Sequence, residues 1–151
     1  MQAAELWQEL CKRAGWSAVA DPAADSAAIL AEQVELDAYT LKAAVFNADE
    51  LYLYIDLLPL PAGQNEAAAL LKQAAACCAQ IWLQRPYYLC TQDGALRAEL
   101  LLHAEDDAAK AEERLGAFLD DTDFVQLNLP SQAGAAAAEL FTQPWMTGGL
   151  L

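Results

Sequence analysis

From Asn65 to Gln84 the chain reads as one long helix that is apolar almost all the way round, and few small folds can accommodate such an element. Leu70, Leu71, Ala74, Cys77, Cys78 and Ile81 form its main stripe. The opposite side carries Ala68, Ala75, Ala76, Ala79 and Leu83, with Lys72 the one charge there, and the main polar strip is Gln73, Gln80 and Gln84. Asn65 is the expected N-cap, and Pro86 bars the helix from continuing. A helix of this kind needs cover on more than one side, and in a chain this small the second cover is expected from another subunit. Ala68, Lys72, Ala75, Ala76, Ala79 and Leu83 are therefore the expected dimer interface, where small side chains let two helices approach closely. An Ala-rich helix with a simply exposed Ala face is the alternative.

The rest of the chain must fit around that helix within 151 residues, one domain's worth. Hydrophobic types make up 56%, but 34 of these residues are Ala, so the large apolar side chains amount to an ordinary globular share. Eight Lys and Arg face 22 Asp and Glu, a net charge of −14. That argues against a nucleic-acid binder, which needs a basic patch to neutralise phosphates, and against adsorption to anionic lipid. No apolar run approaches the ~18 residues a bilayer span needs, so no membrane insertion is expected. Met1 to Leu10 has neither a basic n-region nor an apolar h-region. Without an export signal, Cys11, Cys77, Cys78 and Cys90 are expected reduced, in a cytoplasmic setting.

The inventory for catalysis is thin, and no enzyme is expected. There is one histidine, His103, and three serines, Ser17, Ser26 and Ser131, none in a nucleophile elbow. No Gly-rich phosphate loop occurs, so no cofactor is expected. The vicinal pair Cys77-Cys78 is not a metal knuckle; free cysteines mostly behave as small buried apolar residues, and no metal is expected. If Asp93-Gly94 closes a two-residue hairpin, Cys90 faces Arg97 and His103 lies roughly 20 Å further along, too far for a nucleophile–base pair. The clusters Glu105-Asp106-Asp107 and Asp120-Asp121-Asp123 lack calcium-loop spacing and read as a helix start and a solvated helix exit.

Residues 3–14 form an amphipathic helix with Ala3, Leu6, Trp7, Leu10 and Ala14 on one face, stopped by Gly15. A link rich in Ala, Asp and Pro runs from Ser17 to about Ala28. Strands follow at Val34–Asp37, Leu41–Phe46 and Leu51–Leu57, the last with Leu51, Leu53, Ile55 and Leu57 on one face and Tyr52, Tyr54 and Asp56 on the other. After the long helix comes a hairpin, Tyr87–Thr91 and Ala95–His103, which puts Tyr87, Leu89, Leu96, Ala98, Leu100 and Leu102 on one face. A third helix spans about Asp106 to Leu119, then a strand-like Phe124–Leu129. The expected fold is α+β, a single domain in the order α-β-β-β-α-β-β-α, with helices packed on a twisted antiparallel sheet and the whole assembled as a homodimer. The domain spans 1–129; residues 130–151, with Phe141 and Trp145, form a tail that is a short helix or unstructured.

Three stretches together resemble the class I type III secretion chaperones, the Tir-chaperone family. They are the strand Leu51–Leu60 running into Pro59 and Pro61, the helix Asn65–Gln84, and a carboxy-terminal module. In that module Leu89, Asp93-Gly94, Leu96 and Leu100-Leu101-Leu102 precede a helix ending Leu115, Phe118, Leu119. The resemblance covers roughly residues 3–119. It departs from the family at Ala75-Ala76-Cys77-Cys78-Ala79, where such chaperones often have Leu-Leu-x-Ala-Asn, in the long Ala-rich link, and in the length beyond Asp120. The resemblance implies a bacterial cytoplasmic homodimer serving virulence. Such a dimer binds the N-terminal segment of a secreted effector in extended form, keeps it soluble and export-competent, and releases it at the secretion apparatus, whose ATPase is a further implied partner. An extended segment gains main-chain bonds at a sheet edge and places apolar side chains in grooves. Trp7, Val34, Leu36, Phe46 and Tyr54, large apolar residues beyond the needs of one core face, are the candidate effector-binding residues.

Two other classes fit the same composition. An immunity protein neutralising a basic toxin would also be small, acidic and cytosolic, with salt-sensitive binding to a folded client. An adaptor sharing the fold would have no secretion role, since fold alone does not fix function.

Overall fold

A computed structural model describes residues 1–82 and 88–129. The elements run α1 (Ala3–Ala14), β1 (Val19–Ala20), β2 (Leu30–Glu35), β3 (Thr40–Val45), β4 (Glu50–Pro59), α2 (Gln64–Trp82), β5 (Tyr88–Gln92), β6 (Ala95–His103) and α3 (Ala108–Asn128). The strands form one antiparallel sheet in the order β1-β2-β3-β4-β6-β5. The fold is thus a single α+β domain, as the patterning predicts.

Period-2 alternation divides the sheet into two unlike faces. Val34, Leu41, Ala43, Val45, Leu51, Leu53, Ile55, Leu96, Leu100 and Leu102 are buried and join Leu6, Trp7, Leu10, Leu70, Leu115 and Phe118 of the helices in one core. Between Asp56 and Leu58 the β4–β6 register slips, a bulge that lets Leu57 be buried and Leu58 pack on the core as well. The β5–β6 hairpin closes through Asp93 and Gly94, both at positive φ (52° and 74°), and Cys90 pairs with Arg97. That is the backbone an Asp-Gly two-residue turn supplies.

The helices are pinned at their ends. The Gln2 backbone N–H donates to Glu5 Oε2 at 2.8 Å, and Gly15 in the left-handed region caps α1. Asp107 caps α3 by accepting from the Lys110 N–H at 2.7 Å. In α2 the first helical bond runs from the Ala67 N–H to the Gly63 carbonyl, so the helix starts one residue before the expected N-cap Asn65.

The largest correction concerns α3. Phe124–Leu129 is not a strand; the helix runs to Asn128. Ala111, Leu115, Phe118, Thr122, Val125 and Leu129 are all buried, spaced four, three, four, three, four. Thr122 keeps the stripe continuous because its hydroxyl donates to the Phe118 carbonyl at 2.8 Å. Two smaller differences stand beside it. The Ala-rich link contains the two-residue β1, and β2 begins at Leu30 and ends before Asp37. The expected tail after Pro130 lies outside the described residues.

Candidate partner-binding surface

The helices cover one face of the sheet, and the strand registers define what stands on the other. One row across it reads Gln33, Lys42, Tyr54, Glu99; the next reads Ala31, Ala44, Tyr52, Leu101. Ala44 is buried yet belongs to no core cluster, so it forms a low floor between its larger neighbours. At the sheet's end the Ile29 N–H donates to the Val45 carbonyl, which continues the pairing and sets Ile29 beside Phe46. Ile29 is 68% exposed and Phe46 43%.

Polar contacts fix the larger side chains of this face. The Phe46 ring meets Tyr52 edge-on with centroids 6.0 Å apart. The Tyr52 hydroxyl donates to Glu50 Oε2 at 3.1 Å and Asn47 Nδ2 donates to the same oxygen at 3.0 Å. Those bonds, Asn47's first, hold the Glu50 carboxyl below its ordinary value. Arg97 lies 4.1 Å over the Tyr54 ring and donates from Nε to Asp56 Oδ1 at 2.7 Å. Lys42 Nζ lies 3.5 Å from the buried Asp21 carboxylate. Lys42 and Arg97 are thereby neutralised within the chain.

A second open region lies beside β5, the edge of the sheet. A groove of about 400 Å³ runs between α2 and the hairpin, lined by Leu71, Ala75 and Ala79 from the helix and Leu89, Cys90 and Leu96 from the strands. Burial and the Glu99 carboxylate push the Cys90 thiol up to about 11, which keeps it protonated at neutral pH, the reverse of a nucleophile's setting. Cys90 pairs with Arg97, whereas His103 pairs with Glu50, well apart along β6. Among the described residues, no group of three or more His, Cys, Asp and Glu is placed to hold a metal ion, and no helix is long and apolar enough to cross a membrane.

The five residues expected to meet an effector are scattered. Trp7 and Val34 are core side chains with no surface to offer: Trp7 is fully enclosed, its Nε1 donating to Glu32 Oε2 at 2.6 Å. An aromatic on the apolar stripe of a short helix is what the core needs first. Leu36 is half-buried against the core, while Phe46 is exposed and Tyr54 half-buried on the open face. Missing from that set were Ile29, Tyr52 and Leu101; the alternation in β4 already puts Tyr52 beside Tyr54. The expected interface on α2 is open. Ala68, Lys72, Ala75, Ala76 and Ala79 are all exposed, while Leu70 and Ala74 are buried and Cys77 half-buried against the core, with Leu71 on the groove side; Leu83 lies outside the described residues.

No family model matches this sequence, and no curated protein matches it either. Solved structures do resemble its fold. A chain of the crystal structure of the ExsC–ExsE complex is similar with a TM-score of 0.58 at 18% identity, over 85% of this chain and 93% of that one. The crystal structure of the Yersinia pestis type III secretion chaperone SycH in complex with a stable fragment of YscM2 is similar with a TM-score of 0.49 at 14% identity, over 82% and 98%. The chain therefore shares its fold, over most of its length, with a chain of the ExsC–ExsE complex.

Proposed function

We propose that this chain is a non-enzymatic type III secretion chaperone. It binds the N-terminal segment of a secreted effector, keeps that segment soluble and export-competent in the bacterial cytoplasm, and acts as a homodimer joined through α2. The observation that carries this reading is the uncovered face of the sheet. Phe46, Tyr52, Tyr54 and Leu101 stand there with no element of the described residues over them, in a fold similar to a chain that a second protein, ExsE, accompanies in its crystal structure. Contiguous apolar surface of this kind marks a partner site in a soluble protein. The Ala-rich side of α2 is the surface for the second copy, and the secretion ATPase is the partner to which the complex is delivered. The domain spans residues 1–129.

Affinity capture of the tagged protein from its own cells at about 0.5 M salt, where exposed ion pairs are heavily screened, tests this reading. Limited proteolysis and mass spectrometry of the captured material follow. One secreted protein protected over a short stretch near its amino terminus is the expected result. A toxin protected as a whole folded domain and lost above low salt overturns it in favour of an immunity role.

A further inference from the structure

The chemistry of the open face specifies what kind of segment it takes. We infer that the site centred on the Tyr52–Leu101 pair, beside the low floor at Ala44, binds an extended segment reading basic–x–apolar–x–basic. This inference rests on the chaperone reading and names the partner chemistry of that same surface.

The argument is one of register and charge. Tyr52 pairs with Leu101 across β4 and β6, and on the other side with Ala44, so this row is apolar with a low floor at Ala44. Two residues before Tyr52 on β4 stands Glu50; two residues before Leu101 on β6 stands Glu99. Because the strands are antiparallel, the two carboxylates lie on opposite sides of the apolar row. Same-face residues on a strand are about 7 Å apart. An extended segment running along β4 and β6 has the same period, so a large apolar side chain set between Tyr52 and Leu101 places its i−2 and i+2 neighbours beside Glu50 and Glu99. Neither carboxylate has a Lys or Arg within ion-pair distance among the described residues, since Lys42 is held by Asp21 and Arg97 by Asp56. The intervening x residues face away from the sheet. Basic side chains at the flanks complement the carboxylates, and acidic ones would meet like charge.

Ten-residue synthetic peptides test this against the full chain by NMR titration, following the amides of Ala44, Tyr52 and Leu101. One peptide has lysines flanking a central leucine with serine spacers; the second replaces the lysines by glutamates; the third replaces the leucine by serine. The lysine–leucine peptide is expected to shift these three amides and bind about tenfold tighter than either control, the scale that a pair of exposed ion pairs sets. The double variant Glu50→Gln, Glu99→Gln, checked for an unchanged melting temperature, should lose that preference over the glutamate peptide. Equal binding of all three peptides, no binding, or shifts confined to the α2–β5 groove overturns the inference. The capture experiment separates the two readings. Peptides indifferent to charge beside a captured secreted protein sink this inference alone, whereas charge-selective peptides with no captured secreted protein sink the chaperone assignment and leave the surface chemistry standing.

Discussion

At the scale of single residues, the side chain that the sequence marks as a partner contact holds the fold together. Trp7 is fully buried on α1, and its indole N–H reaches across to Glu32 on β2 at 2.6 Å. Trp7→Ala removes a large core volume and should lower stability by about 3–5 kcal/mol, while Trp7→Phe, which leaves the Glu32 carboxylate without its donor, should cost about 1–3 kcal/mol. Urea unfolding measures both, and a loss below about 1 kcal/mol for Trp7→Ala would return the residue to the partner surface. Cys11, beside this pair, has its thiol pushed up to about 11 by burial and then by the Glu32 charge. A group whose folded value lies above its unfolded one stabilises the fold below the unfolded value and loses that contribution as pH rises. The urea midpoint should therefore fall as pH climbs from the ordinary thiol value of 9.0 towards 11, and fall less in Cys11→Ala. Cys90, pushed up likewise to about 11, and Tyr39, Tyr52 and Tyr54, all raised chiefly by burial, leave a residual decline in that variant.

At the scale of elements, α3 offers the sharpest test of how pattern becomes structure. Over Phe124–Leu129 a strand would put residues 125, 127 and 129 on one face, whereas the helix buries Val125 and Leu129 and leaves Leu127 86% exposed. Val125→Asp should thus destabilise by about 3 kcal/mol or more by burying an unpaired charge, and Leu127→Asp by about 0.5 kcal/mol or less. Equal losses in thermal melts of the two variants would contradict the helix. The same contrast explains what could be read in advance. Strong, long periodicities were legible: α1, the alternation Leu51–Leu57, the Asp93-Gly94 turn with its Cys90–Arg97 pairing. The end of α3 was not, because Thr122 looks polar until its hydroxyl is given to the Phe118 carbonyl and its methyl joins the stripe. Nor was β1, whose two exposed residues show no alternation and are set by pairing with Glu32 and Gln33 alone. Of the candidate site, Phe46 and Tyr54 were legible as surplus apolar side chains. Ala44 was not, because a small residue becomes a floor only through its neighbours across the sheet.

At the scale of the molecule, net charge and apolar surface pull the two proposed associations in opposite directions. The chain carries −14, so bringing a second copy against α2 sets like charges together, and only burial of the Ala-rich face favours it. Raising salt from about 0.05 to 0.5 M screens that repulsion and should tighten the dimer. The contact to a basic-flanked segment has the other sign: its apolar row survives salt while its flanking ion pairs weaken. Ala76→Arg and Ala79→Arg each put a long charged side chain on the exposed side of α2, where the described fold has room for it. Neither should lower the melting temperature of the fold by more than a few degrees, because neither touches the Leu70–Ala74 contact with the core. Sedimentation equilibrium should then show the mass falling from twice the 16.3-kDa chain to once. A dimer unchanged in both variants would move the interface off this helix. A dimer that loosens with salt would mean that charge pairing, not the Ala face, joins the copies.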